Sequence, residues 1–265
     1  MLPKEAIDAL AGVMTPKFLA TASASGIPNV VPVITTTAAD PQTIIFGELM
    51  IRKTKSNIEE NPKVAILVLT EALDLWIIRG DFVEFQNTGP YLEMVNANPM
   101  YRYNAYIGFS RVAVVKVKDV TFHAKLSMLG VAARLLKVKA ISPLAKSKDG
   151  KVMPAQVMEK FGRAKSVRVF SAISSDGYPD VMLTMSMMPA DSSTLVFAPE
   201  LFKKKFESLP IGVPVAASVI TFDPVAYQVK GTWQGIRSYL GVKLATIKVT
   251  EVYTAGPPKP GERIV

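Results

Sequence analysis

The chain has no cysteine and only one histidine, His123. The first absence excludes structural disulfides, thiolate nucleophiles and cysteine-based metal sites. The second argues against a histidine triad or a multi-histidine metal centre, and His123 has no evident partner nearby in sequence, so no metal site is expected. Long apolar runs are also missing. Stretches such as Val64–Leu69 fall far short of the ~20 residues needed to span a bilayer. The N-terminus lacks a basic region followed by an apolar run, so no secretory signal is visible. These absences lead to the expectation of a cytoplasmic protein with no membrane partner. Acidic residues are in the minority, 22 against 31 Lys and Arg, for a net charge of +9. A solvated basic surface is the simplest source of that excess, and a site for a phosphorylated cofactor comes next. Nucleic acid is not expected, because no basic block exceeds Lys203-Lys204-Lys205 and aromatics do not interleave with the basic residues.

What the chain does contain is itself, twice. Ser23-Ala24-Ser25-Gly26-Ile27-Pro28-Asn29-Val30 returns as Ser174-Ser175-Asp176-Gly177-Tyr178-Pro179-Asp180-Val181, an offset of 151 residues (Gly26 to Gly177). Thr43-Ile44-Ile45-Phe46 returns as Thr194-Leu195-Val196-Phe197, and Arg79-Gly80 as Lys230-Gly231, without a net gap. A solenoid unit repeats every ~20–50 residues, so a period this long is a whole domain. The division expected is a first copy over 1–123, a helical basic linker over 124–160 and a second copy over 161–265. Function is to be sought where the copies differ.

Within the first copy, Ala6, Ile7, Leu10, Val13 and Met14 fall on one helical face. Strands follow at Phe18–Ala24, Pro28–Thr37 and Thr43–Phe46, the second rich in Val, Ile and Thr. A short polar helix over Arg52–Asn61 is terminated by Pro62. Lys63–Leu69 and Leu73–Gln86 form a further strand pair, Gly89–Asn96 a helix, and Arg111–Phe122 the closing strand. The linker opens with a helix at Ala124–Lys137. Gln156–Ala164 opens the second copy, whose barrel runs from Ser166 to Val252, and the proline-rich tail Ala255–Gly261 is irregular. Strands this closely spaced predict a mainly β protein of two tandem antiparallel split β-barrels of Greek-key type, with short flanking helices, packed as an intramolecular pseudo-dimer.

The strongest local candidate for chemistry is Met50-Ile51-Arg52-Lys53-Thr54-Lys55-Ser56-Asn57, where a strand gives way to a helix. A helix start leaves N–H groups unpaired and carries positive potential, which favours a phosphate. Thr54 can cap the helix or bond the anion, while Arg52 and Lys53 can approach it as a fork and a point charge. A charged first turn is also an ordinary solvated face. The context narrows the choice. The ordered set Gly26-x-Pro28, Ile44-Ile45-Phe46-Gly47, Arg52-Lys53-Thr54-Lys55-x-Asn57-Ile58-x-x-Asn61-Pro62-x-Val64-Ala65 and Ile78-Arg79-Gly80 resembles the FMN-binding split-barrel, or pyridoxamine 5'-phosphate oxidase-like, family.

That resemblance covers about Lys17 to Val117 well and Ser166 to Val252 more faintly. It implies a flavoprotein with FMN as cofactor. The flavin phosphate would lie at Ile51, Arg52, Lys53 and Thr54 with Asn57 nearby, and the ring would lie along Val33, Ile34, Thr35 and Thr36. Relatives are usually homodimers with flavins at the interface, and the fused repeat looks like an internal version of that dimer. The implied activity is flavin-dependent oxidoreduction of a small molecule, with no catalytic side chain assigned. The alternatives are a non-catalytic flavin-binding or electron-carrier protein, or the same fold holding a deazaflavin or haem. The second copy departs from the pattern. Its helix start is Phe202-Lys203-Lys204-Lys205-Phe206-Glu207-Ser208, and Met182, Met185, Met187 and Met188 populate its strand, most simply as core filling. Trp233, counterpart of Phe82, is either a core aromatic or a neighbour of the flavin across the interface. Tyr101, Tyr103 and Tyr106 are assigned to packing or surface, with a substrate pocket as the alternative. The assembly expected is a pseudo-dimer within one chain, itself a monomer or a homo-oligomer.

Overall fold

A computed structural model describes residues 1–13, 15–49, 51–98, 108–147, 150–256 and 260–265, apart from the Glu200 side chain. Tyr101, Tyr103 and Tyr106 lie outside the described residues, as do Met14, Met50 and the prolines at 257 and 258.

The first copy comprises α1 (Lys4–Ala11), β1 (Lys17–Ala22), β2 (Pro28–Pro32), β3 (Thr37–Asp40), β4 (Thr43–Gly47), α2 (Arg52–Glu60), β5 (Lys63–Leu69), β6 (Asp74–Gln86), α3 (Pro90–Asn96) and β7 (Val112–Lys125). A linker of α4 (Met128–Ile141) and a 3-10 turn (Ser142–Ala145) leads to the second copy. That copy comprises α5 (Ala155–Gly162), β8 (Ser166–Ile173), β9 (Pro179–Leu183), β10 (Met188–Asp191), β11 (Thr194–Phe197), a 3-10 turn (Glu200–Phe202), α6 (Lys203–Ser208), β12 (Pro214–Thr221), β13 (Ala226–Tyr239) and β14 (Val242–Thr254).

Two antiparallel sheets of seven strands result, ordered β2-β1-β5-β6-β7-β4-β3 and β9-β8-β12-β13-β14-β11-β10. The orders are identical position by position, so the repeat read in the sequence is a repeat of topology. In the first sheet the edges, β2 and β3, are joined by residues 33–36 alone. Seven flat strands ~4.8 Å apart would separate these edges by ~29 Å. The five Cα steps from Pro32 to Thr37 reach at most ~19 Å. The sheet must therefore curl until its edges approach, which makes it a split barrel.

The break at 33–36 corrects the expectation of one strand over Pro28–Thr37. Thr36 donates from both its N–H (3.2 Å) and its hydroxyl (2.8 Å) to the Val33 carbonyl, closing a turn where a run of β-formers read as continuous strand. The linker helix also begins later than expected. The start of β6 pairs with β7 as far as Asp74–Lys125, so Ala124 stays in the strand, and Ser127 then caps α4 by accepting from the Gly130 N–H. The offset between copies changes once. Lys230 lies opposite Glu251 as Arg79 lies opposite Asp119, so β7 and β14 are related by 132 residues rather than 151. The difference of 19 is the α3 region, which the second copy replaces with a tight hairpin at Leu240-Gly241.

The barrels pack through β1, β2 and β5 against β8, β9 and β12. Under the exchange of copies, β2 against β12 becomes β9 against β5, and β2 against β8 becomes β9 against β1. All four contacts are present, as a pseudo-twofold requires. One apolar cluster crosses the junction and joins Phe18, Val30, Leu67 and Ile77 to Val169, Val181 and Val219. Desolvation of this shared core, at about 25 cal/mol per Å2 of apolar surface, is the main force holding the barrels together.

Candidate functional site

Helix α2 starts one residue after a buried Ile51, and no side chain caps its first turn. Its four leading side chains go to four different places. Arg52 is exposed. Lys53 lies over the ring of Tyr253 in β14, 3.0 Å from the ring centroid, and so reaches the second barrel. Thr54 is buried; it is neither a cap nor on the surface, and its hydroxyl accepts from the Asn29 amide at 3.2 Å. Lys55 pairs with Glu48 at 2.9 Å, which also holds Arg111 at 2.6 Å.

Thr54 belongs to a buried polar network that spans the junction. The Asn29 amide also donates to Thr21 (3.4 Å), and Asn57 donates to the same Thr21 hydroxyl (3.0 Å). From the second barrel, Gln228 donates to the Asn29 carbonyl (3.1 Å) and to the Val30 carbonyl (2.7 Å). Buried polar groups demand partners, and these five residues supply one another's. Thr54 and Asn57, expected near a phosphate, therefore hold α2 onto β1 and β2 and fix where its first turn sits.

Two residues beyond Gln228 stands Lys230. The ladder slips between Lys230 and Gly231, and likewise between Arg79 and Gly80. A Cβ at Gly231 would lie 2.0 Å from the Lys248 carbonyl, and one at Gly80 2.7 Å from the Lys116 carbonyl. Glycine is required at each bulge because the neighbouring strand occupies the space. Beside each bulge a basic side chain crosses to the other barrel. Lys230 lies beside Lys53, with its Nζ 5.9 Å from the Tyr253 ring centroid. Arg79 reaches Asp176 and Asp180.

The C-terminal peptide completes the first cluster. Val252 donates to Val265 (3.0 Å) and Ile264 to Val252 (2.7 Å), laying the tail along β14 and placing Arg263 3.6 Å from Glu251. Three cations, Lys53, Lys230 and Arg263, thus share one carboxylate, Glu251, which also accepts from the Tyr253 hydroxyl at 2.6 Å. Burial, reinforced by Lys230 and Arg263 and opposed by Glu251, pushes the Lys53 ammonium down to about 8. Burial likewise lowers Lys230, against the pull of Glu251. Burial is the main reason both ammonium groups hold their protons less tightly than usual; separately, three cations around one carboxylate leave positive charge in excess.

The turn expected to carry a ring lies next to the entrance of α2. Thr35 is buried and donates to the Gly47 carbonyl (3.4 Å); Val33 and Thr36 are buried as well, and Ile34 is 40% exposed. A buried cation braces this turn in each copy. Lys17 donates to the Ile34 carbonyl (3.4 Å), and Arg168, its counterpart, to the Met185 carbonyl. Desolvation holds Lys17 at about 8. Trp233 sits inside the second barrel, packed on Phe170, Phe197 and Phe206, with 1% of its surface exposed. Met182 and Met187 fill the same core. His123 stacks on Trp76 across the β6–β7 ladder, with ring centroids 3.6 Å apart. Among the described residues no group of His, Asp and Glu could hold a metal ion.

The cluster that the junction assembles is therefore Lys53 from the first barrel with Lys230, Tyr253 and Arg263 from the second, while Arg52 stays exposed outside these contacts. Lys230, Tyr253 and Arg263 were not expected from sequence. Lys230 could have been found by its alignment with Arg79, whereas Tyr253 and Arg263 carry no sequence signal of their own.

Residues 4–128 match the family described as pyridoxamine 5'-phosphate oxidase. No curated protein matches the chain. Solved structures similar to one barrel include HupZ of Group A Streptococcus, 25% identical over 47% of this chain and 95% of that one, with a TM-score of 0.40. Another is an FMN-binding protein from Syntrophomonas wolfei subsp. wolfei, 16% identical over 47% of this chain and 89% of that one, with a TM-score of 0.39. The first barrel thus matches the pyridoxamine 5'-phosphate oxidase family, and the second barrel repeats its strand order.

Proposed function

We propose that the chain binds FMN, with the phosphate held at Lys53, Lys230 and the first turn of α2, and acts as an oxidoreductase on a small molecule. The observation that carries this is the cluster of three cations around one carboxylate, Glu251, at the junction of the barrels, in a fold whose similar structures include an FMN-binding protein. The residues present fit a phosphate. Two ammonium groups and a guanidinium lie together around Glu251, the first-turn N–H groups have no side-chain cap, and Asn29, Thr54, Asn57 and Gln228 hold the helix start in place. The neighbouring turn over Val33–Thr36 is the surface offered to the ring, with the hydroxyls of Thr35 and Thr36 turned inward to hold its shape. When bound, the flavin supplies hydride or electron transfer. The chain's own part is to bind and orient it, which is why no catalytic side chain needs to be named.

The test is titration with FMN and with riboflavin, followed by flavin fluorescence. Tight FMN binding with at least tenfold weaker riboflavin binding supports the phosphate assignment. Equal affinities remove it. The visible absorption spectrum of the purified protein separates FMN from a deazaflavin, from haem and from no chromophore. Oxidation of a reduced nicotinamide separates an enzyme from a carrier.

A further inference from the structure

The pseudo-twofold generates a second position equivalent to the first site, and the two differ in charge. Asn29 corresponds to Asp180, Ser25 to Asp176, Thr54 to Lys205 and Lys230 to Arg79. At the second position Arg79 donates to Asp180 (3.0 Å), to Asp176 (2.7 Å) and to the Ser174 hydroxyl (3.3 Å). Lys205 donates to the same Asp180 oxygen at 2.7 Å, and Lys63 to the Asp176 carbonyl at 2.6 Å. Arg79 and Lys205 are thus held by two carboxylates at hydrogen-bond distance, with Lys63 as a third cation on a backbone carbonyl beside them. At the first position the equivalent side chains are a neutral amide and a hydroxyl, and Lys230 has only the more distant Glu251 carboxylate, with no ion pair within 4.0 Å among the described residues.

We propose that the second copy supplies its own anion: Asp180 and Asp176 neutralise Arg79 and Lys205 as a ligand's phosphate would, so the chain has one phosphate site instead of two. The second position serves as an ionic clasp between the barrels. The stoichiometry rests on the reading that the first site takes a flavin phosphate; the clasp does not. The clasp is placed to matter. Arg79 and Asp180 are only 14% and 13% exposed, where a bidentate or shared charge pair is screened far less than on an open surface. The same carboxylates that hold Arg79 would repel a phosphate approaching it.

The experiment exchanges the distinguishing residues. FMN is titrated into the flavin-free full chain and into the variants D176S/D180N and N29D, with stoichiometry read by calorimetry. Thermal melts without flavin are run in parallel at low salt and at ~1 M salt, where the Debye length is ~3 Å. The wild type is expected to bind one FMN per chain, D176S/D180N to gain a second equivalent, and N29D to lose at least tenfold in affinity. Without flavin, D176S/D180N is expected to melt lower than the wild type at low salt, with the gap narrowing at high salt. Two equivalents in the wild type, or one in a folded D176S/D180N, would overturn the closed second site. No flavin binding by the wild type would instead remove the flavin reading. The melts then decide the clasp alone, and an unchanged melting temperature overturns it. Should the double variant fail to fold, D176S serves for the melts, since Asp176 is 51% exposed and its removal leaves Asp180 on Lys205.

Discussion

The affinity for FMN should fall as pH rises from 7 to 9, and Lys53 should be the main reason. In the ligand-free protein its ammonium titrates at about 8. An anion beside it favours the protonated form, so its pKa rises in the complex and binding takes up a proton. Association must then weaken as pH rises through the free-protein value. For a single group with a pKa of about 8, the protonated fraction drops from roughly nine-tenths at pH 7 to one-tenth at pH 9, which is about a tenfold loss in affinity. Burial lowers Lys230 in the same direction. Lys17, which braces the Ile34 carbonyl and also titrates at about 8, would respond to the ring rather than the phosphate, so riboflavin serves as its control. The FMN phosphate has its second pKa near ~6 and gains little further charge above pH 7. Tyr253, pushed up to about 12 by burial and by Glu251, stays neutral throughout. The assay is a fluorescence titration at constant ionic strength between pH 6.5 and 9.5, with K53M alongside. At pH 7 the variant should bind roughly 10- to 100-fold more weakly, as expected for a lost charge-assisted hydrogen bond. It should also lose most of the pH slope. An affinity that is flat from pH 7 to 9, or a K53M variant with the wild-type slope, would refute the placement of the phosphate on Lys53.

Other consequences can be measured by denaturation. Lys17→Met should be neutral to stabilising at pH 7, and the advantage should vanish by pH ~10. The folded wild type sheds this proton at about 8 and the unfolded chain at 10.5, so wild-type stability rises between those values. Trp233→Ala should cost ~3–5 kcal/mol in urea unfolding, since it empties a fully buried aromatic cluster. Gly231→Ala should cost ~1–3 kcal/mol by forcing β13 away from the Lys248 carbonyl. It should also weaken FMN binding, because the bulge that aims Lys230 is displaced.

Much of the fold was legible because strands and turns are written locally. Lys63–Leu69 was placed to the residue, and the Gly-x-Pro turns at Gly26 and Gly177 set the offset between copies. Residues 33–36 were read as strand because Val, Ile and Thr favour extended backbone, and what breaks them there is tertiary, since the curled sheet needs its edges joined. The site was half legible. Arg52 and Lys53 were read from charge at a helix start; Lys53 joins the junction cluster, while Arg52 is exposed. Thr54 and Asn57 were read as phosphate neighbours, and polarity alone could not show that their side chains bond within a buried network. Lys230, Tyr253 and Arg263 come from 177 or more residues further along the chain (Lys53 to Lys230). Only the docking of the two barrels brings them to α2.

Joining both barrels in one polypeptide has a consequence for how such a protein can change over generations. In a homodimer every substitution appears twice, once at each symmetry-related position, so Asn at position 29 and Asp at its mate could never coexist. Covalent linkage removes that bond between the two positions. One half can keep the chemistry while its twin drifts toward support, and a change that would abolish function in a symmetric pair becomes tolerable in one copy. The pairing of Asn29 with Asp180 records that freedom. By the same logic, new specificity would be most readily acquired around Asp176 and Asp180, where the second copy has already departed from the first.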